Sequence, residues 1–302
     1  MGLTSPTFSI IGLGEVLWDL LPAGPQPGGA PANFACHARA LGAQAGVITR
    51  VGRDALGRDL QHRLVEMKLP AELVQVDDFA PTGTVTVQLS GQGVPHYTIH
   101  EPVAWDRLQL TEAARQTAGT ADAICFGSLA QRAGPSRATI HELLRLTPPD
   151  ALRIFDINLR QHFHSRDVLE SSLQLANVLK LNDTELPVLA ALFDLSGDVQ
   201  TQVSALACRF GLRVVALTLG AQGSLLHQDG RWSHARPRPV QVRDTVGAGD
   251  SFTAALTVGL LQKMPLEEIN VAANEVARYV CSCAGATPPL PESVRQLFAP
   301  RG

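Results

Sequence analysis

Leu152-Arg153-Ile154-Phe155-Asp156-Ile157, a helical stretch from Val168 to Ala176, and then Val178-Leu179-Lys180-Leu181 decide the fold class. Each outer run is short and apolar and is flanked by polar or turn residues, as a strand buried on both faces should be. The stretch between them carries apolar residues at helical spacing. The same rhythm runs outward in both directions. Phe8 to Leu13, Ala123 to Phe126 and Val214 to Thr218 read as further strands. Ala32 to Leu41, Ser136 to Leu146, Asp183 to Leu192 and Val199 to Phe210 read as helices. Alternation of this kind predicts an α/β fold with a mostly parallel central sheet flanked by helices. Toward the C-terminus, Ser251 to Leu261 and Leu266 to Cys283 are apolar at helical spacing, with Pro265 suited to the first turn of the second helix.

One segment breaks the rhythm. Thr84-Val85-Thr86-Val87-Gln88-Leu89-Ser90 alternates with period two, placing Val85, Val87 and Leu89 on one side. A turn at Gly91-Gln92-Gly93 and a second run, His96-Tyr97-Thr98-Ile99-His100, make a β-hairpin with one apolar face. Pattern alone leaves two places for it, a flap over the α/β layers or an edge extension of the main sheet.

Composition narrows the class. The chain has 302 residues, enough for one large domain or two ordinary ones. Hydrophobic residues at 45% and charged residues at 18% suit a packed core. A net charge of -3 leaves no basic footprint, so no nucleic-acid partner is expected. No apolar run is long enough to span a bilayer, and no membrane partner is expected. Met1 to Ile10 lacks the charged and apolar regions of a secretory signal, and Pro6 stands where myristoylation needs Ser or Thr. Cys36, Cys125, Cys208, Cys281 and Cys283 are an odd, scattered set, a poor disulfide framework and the usage of a reducing, cytoplasmic location. Cys281-Ser282-Cys283 has no second Cys or His pair at zinc spacing and reads as buried helix residues.

The chemistry concentrates in Gly247-Ala248-Gly249-Asp250-Ser251-Phe252, which opens an apolar helix. Three small residues let backbone approach a phosphate closely, and the helix start adds partial positive charge. A carboxylate in the first turn, Asp250, can then take the proton of an incoming hydroxyl while N–H groups stabilise the transferring phosphoryl group. The alternative is an Asp that merely caps the helix. Two other phosphate motifs fail. G-x-x-x-x-G-K-[ST] does not occur, and G-x-G-x-x-G is spoiled by Leu17 after Gly12 and Gly14 and by Phe252 after Gly247 and Gly249. A nicotinamide dehydrogenase is disfavoured on that count.

With its neighbours, Asp244-Thr245-Val246-Gly247-Ala248-Gly249-Asp250-Ser251-Phe252 resembles the C-terminal motif of the ribokinase-like (phosphofructokinase B) carbohydrate kinases. Gly28-Gly29-Ala30-Pro31-Ala32-Asn33 is similar to that family's N-terminal glycine motif in its fructokinase-like form. Asp156-Ile157-Asn158-Leu159-Arg160, Lys180-Leu181-Asn182-Asp183-Thr184-Glu185 and Thr218-Leu219-Gly220-Ala221-Gln222-Gly223 resemble three further family segments, in the family's order.

The resemblance implies one ribokinase-like domain over residues 1-302, with a small β-sheet lid formed by about 15-25 and 83-105. It implies Asp250 as the base and Gly247, Ala248 and Gly249 as the anion hole. Asp19, Gly28, Gly29, Asn33 and Arg160 would meet the sugar. Lys180, Asn182, Glu185, Thr218, Gly220, Gly223 and Asn274 would lie on the nucleotide side, with an exposed helix Asn as the alternative at 274. The implied cofactors are ATP and Mg²⁺, the metal held through water by Glu185, and a K⁺-type monovalent cation in the loop of Asp244 and Val246. A homodimer through the lid is also implied. Among acceptors the resemblance points to fructose, with ribose, a keto-sugar acid and a nucleoside as alternatives. A non-catalytic sugar sensor on the same fold would be expected to have a damaged base or anion hole, and both are intact in the sequence.

Overall fold

The apolar runs become strands because both of their faces are covered. In the computed structural model, which describes residues 7–21, 24–89 and 95–299, Ala123 to Phe126 is buried at every position. Ala123 and Cys125 enter one hydrophobic core, Ile124 and Phe126 another. The expected turn at Gly91-Gln92-Gly93 lies outside the described residues, as do Met1 and Pro6.

The chain begins with β1 (Ser9–Leu13), β2 (Leu17–Leu21), β3 (Gly24–Gly28), α1 (Ala30–Ala40), β4 (Gln44–Gly52), α2 (Ala55–Glu66) and β5 (Val74–Asp77). It continues through β6 (Gly83–Leu89), β7 (Pro95–Ile99), α3 (Glu112–Thr120), β8 (Ala123–Phe126), α4 (Gly134–Leu146) and β9 (Leu152–Asp156). Next come α5 (Arg166–Leu175), β10 (Val178–Asn182), α6 (Leu186–Phe193), α7 (Val199–Phe210), β11 (Val214–Thr218), β12 (Ser224–Gln228) and β13 (Arg231–Ala235). Two long helices follow, α8 (Ala248–Leu261) and α9 (Leu266–Cys281).

Nine strands form the main sheet in the order β13-β12-β11-β10-β9-β8-β1-β4-β5. All pairs from β11 to β5 are parallel; β12 and β13 add an antiparallel hairpin at one edge. Helices α1, α2, α8 and α9 cover one face, and α3 to α7 cover the other. The strand order reverses at β1, which has β4 on one side and β8 on the other. Beyond the carboxyl ends of such strands lies the usual crevice of an open α/β sheet.

The hairpin does not extend the main sheet. It belongs to a separate four-stranded sheet of order β3-β2-β6-β7, with β2 and β6 parallel. Pro25 and Pro27 lie on the edge strand β3, where a missing N–H costs no ladder bond. Val85 is 6% exposed and packs with Leu17, Ile99 and Trp105; the side chains of Val87 and Leu89 lie outside the described residues.

Helix ends differ from expectation for local reasons. The Asn182 side-chain oxygen accepts N–H bonds from Thr184 and Glu185, so residues 182 to 185 form a turn and α6 starts only at Leu186. Helix α8 starts at Ala248, three residues before the expected Ser251, because Gly247 takes the left-handed conformation (φ 78°) as its cap. Pro265 caps α9 from outside rather than entering its first turn, and α9 stops at Cys281, leaving Ser282 and Cys283 beyond it. Every residue of α8 from Ser251 to Gly259 is buried, consistent with its place between α1 and α9.

Candidate active site

The start of α8 forms the floor of a large cleft. A Cβ on Gly247 would overlap the backbone carbonyl of Ala286, so only glycine fits the turn. The Ala248 N–H reaches Thr245 O at 3.3 Å and the Ser251 N–H reaches Gly247 O at 2.9 Å. Between them, the N–H groups of Gly249 and Asp250 have no acceptor among the described residues, the ordinary state of a helix's first turn. Two free donors at the positive end of a fourteen-residue helix suit an anion.

Asp250 is the third residue of α8. Its carboxylate does not cap the helix; Oδ2 accepts a 2.9 Å bond from Nδ2 of Asn33 on α1. Desolvation raises its pKa from the ordinary value near 4 to about 6, and the nearby Asp156 adds to the rise, while Asn33, Lys180 and Arg160 oppose it.

Behind this loop sits a buried ion pair. Lys180 Nζ lies 3.0 Å from Asp156 Oδ1, each side chain being 7% exposed. The Thr253 hydroxyl lies 2.8 Å from Asp156 Oδ2 and 3.0 Å from the Gly249 carbonyl. Burial works against the Lys180 charge, but Asp156 and Glu185 outweigh it and hold the pKa above the usual lysine value. The ammonium lies 3.1 Å from where a Gly249 Cβ would stand. It therefore places fixed positive charge under the two free N–H groups.

The opposite wall comes from the small sheet. Asp19 lies on β2, and its Oδ2 lies within 2.5 Å of where a Gly28 Cβ would stand. Gly29 caps α1 with φ 115°, pressed against the Glu15 carbonyl. Gly28 ends β3 and Gly29 caps α1, so the two glycines are not a flexible turn. Burial raises the Asp19 pKa, and Arg160 opposes it. Arg160, exposed, bonds only the neighbouring Leu159 carbonyl, at 3.2 Å, among the described residues.

Asn182, Thr218, Gly220, Gly223 and Asn274 line the other end of the same cleft. Asn274 is 7% exposed, so the exposed-Asn alternative does not hold; its amide N–H₂ donates to Ser224 Oγ at 2.7 Å and Asn270 O at 2.8 Å. Asp244 joins two loops, accepting from Val246 N–H and Gly285 N–H at 3.0 Å each. Of the residues singled out in the sequence, Glu185 alone stays off the cleft wall. Its two carboxylate oxygens accept N–H bonds from Leu159 (2.9 Å) and Asn182 (2.8 Å). Among the described residues no three His, Cys, Asp or Glu side chains form a metal-sized group, so a divalent ion would fit only with oxygens brought by a ligand. The cleft measures about 2100 Å³, beyond the usual range for one small ligand.

Sequence reasoning missed Glu15 on the cleft wall, the Asp156–Lys180–Thr253 network and the Asn33–Asp250 bond. None has a local signal, since the bonded partners lie 24, 97 and 217 positions apart.

Comparison with known proteins bears on the same residues. The description "pfkB family carbohydrate kinase" matches residues 24–293. The chain belongs to the pfkB family of carbohydrate kinases. A fructokinase of Klebsiella pneumoniae is 34% identical over 260 residues, covering 82% of this chain and 83% of its own. A fructokinase of Salmonella typhimurium is 31% identical over 288 residues, covering 91% and 92%. A sugar kinase from Pyrococcus horikoshii, solved in complex with ATP, superposes with a TM-score of 0.79 at 28% identity, covering 96% of this chain and 99% of that one. The protein is an ATP-dependent carbohydrate kinase with the ribokinase-like fold. Among the described residues, no helix of the kinase is long and apolar enough to cross a membrane.

Proposed function

We propose that this kinase transfers the γ-phosphoryl group of ATP to a hydroxyl of a small sugar, fructose before ribose, a keto-sugar acid or a nucleoside, with Asp250 as general base. The carrying observation is the Asp250 carboxylate beside the free N–H groups of Gly249 and Asp250, on a cleft of about 2100 Å³. The fructokinase relatives favour fructose, and the ATP complex of the Pyrococcus relative favours ATP as the donor; Thr218, Gly220, Gly223 and Asn274 line the cleft and would meet the nucleotide. Ionised Asp250 takes the hydroxyl proton as the oxygen attacks. The α8 N–H groups and the Lys180 charge beneath them stabilise negative charge on the phosphoryl oxygens. Asp19, Asn33 and the Gly28-Gly29 backbone orient the sugar, and Arg160 is free to reach either substrate.

Mg²⁺ would arrive with the phosphates and supply neutralising charge there; Asn182 lines the cleft, whereas Glu185 stays behind it, holding the Asn182 and Leu159 N–H groups. The Asp244 clasp frames loops whose carbonyls suit a monovalent cation such as K⁺. The small sheet would act as a lid that excludes water. Leu21 and Tyr97 are 36% and 51% exposed on it, which supports a homodimer through that sheet; light scattering at micromolar concentration decides this, and a monomer with sugar bound refutes it.

The base is tested with Asp250→Asn. Turnover on the accepted sugar should fall on the order of 10²- to 10⁴-fold with ATP binding retained. Turnover within a few-fold of wild type would remove Asp250 from the role.

A further inference from the structure

Glu15 is a carboxylic acid on the cleft wall with Asp19 and Asp250, and no sequence motif draws attention to it. It follows β1 and precedes β2, at the junction of the two sheets. Its surface is 3% exposed, yet it lines the cleft with Asp19, Gly29, Asn33, Arg160 and Asp250. Oε2 has no hydrogen-bond partner among the described residues. A buried polar atom left so is costly, the more so when charged, and calls for a partner.

The neighbouring cations do not supply one. Arg132 is held by Asp106, at 2.8 Å to each carboxylate oxygen, and by the His100 carbonyl. Arg160 bonds Leu159. Both act on Glu15 only through their charge. The Gly29 turn leaves no slack for the Glu15 backbone to withdraw, since a Gly29 Cβ would lie 2.5 Å from Glu15 O and 2.9 Å from Val16 Cα.

We propose that Glu15 is a sugar-binding residue, its Oε2 hydrogen-bonding a hydroxyl of the acceptor other than the one deprotonated by Asp250. The inference rests on the sugar-kinase reading. A carboxyl group in the acid form both donates and accepts, as a hydroxyl does, so a polyhydroxylated neutral ligand matches it from either side. Burial and the Asp250 charge raise the Glu15 pKa to about 7, which keeps that form populated near neutrality.

The test compares Glu15→Leu and Glu15→Gln with wild type on the accepted sugar and its mono-deoxy analogues, with ATP binding measured by calorimetry. Glu15→Leu should raise the sugar KM about 10-fold or more, one hydrogen bond's worth, and leave the ATP Kd unchanged. Glu15→Gln, which can still bond a hydroxyl, should recover most of the loss. For one mono-deoxy analogue, wild type and Glu15→Leu should have equal KM values. A sugar KM within about twofold of wild type in Glu15→Leu, or an equal penalty on every analogue, overturns the assignment while leaving the sugar-kinase reading intact. A wild-type protein that phosphorylates no sugar overturns both.

Discussion

Asn33 Nδ2 donates to Asp250 Oδ2 across 2.9 Å, tying the first turn of α1 to the first turn of α8. The bond favours the ionised carboxylate and holds the Asp250 pKa below where burial and Asp156 would put it. Asn33→Ala should therefore move the acid limb of kcat/KM to higher pH. A bond to a charged group is worth about 1.5–3 kcal/mol and one pH unit about 1.4 kcal/mol, so the shift should be about one unit or more. A pH profile with an unmoved acid limb would break the link between this bond and the titrating group.

Asp250 should also cost stability at the pH where it works. Its pKa is raised in the folded protein to about 6 from an ordinary value near 4. Its contribution to stability is thus fully present below about 4 and is lost as pH rises through about 6. Asp250→Asn should be more stable than wild type at pH 8 by about 1–3 kcal/mol, and the gain should shrink toward pH 4. Urea denaturation at both pH values checks this; an equal difference at both would contradict it.

Lys180 and Asp156 are a buried pair, and removing one member leaves the other uncompensated. Lys180→Met should destabilise the fold by about 3–5 kcal/mol. Adding Asp156→Leu should recover part of that loss without recovering turnover, since the charge beneath the N–H groups of α8 is still missing. A double variant whose loss equals the sum of the Lys180→Met and Asp156→Leu losses would mean that the pair carries no coupling.

Asp19→Ala should weaken sugar binding more than ATP binding. The carboxylate is placed by β2 on the wall opposite α8, and each charge-assisted bond to a hydroxyl contributes roughly 1.5–3 kcal/mol, a factor of about 10 to 100 in KM. Equal losses for both ligands would take Asp19 out of the sugar pocket.

What the sequence by itself determined is the set of features that depend on near neighbours along the chain. Ala123 to Phe126, Val214 to Thr218 and Val199 to Phe210 have the expected bounds, because an apolar run between turn residues has one way to bury itself. The Gly247-Ala248-Gly249-Asp250 turn was legible for the same reason, since small residues before an apolar helix specify a local backbone. The hairpin at β6 and β7 was legible as a hairpin, but its place was not. Its partner strand β2 lies more than sixty positions upstream, next to a Pro-containing strand that lacks any alternating signature. Only the tertiary structure decided that Glu15 is buried on the cleft wall, that Asn33 bonds Asp250, and that Asp156, Lys180 and Thr253 share one network. A pKa or a fixed charge beneath an anion site depends on what surrounds a group from every direction, and folding brings most of those surroundings from distant parts of the chain.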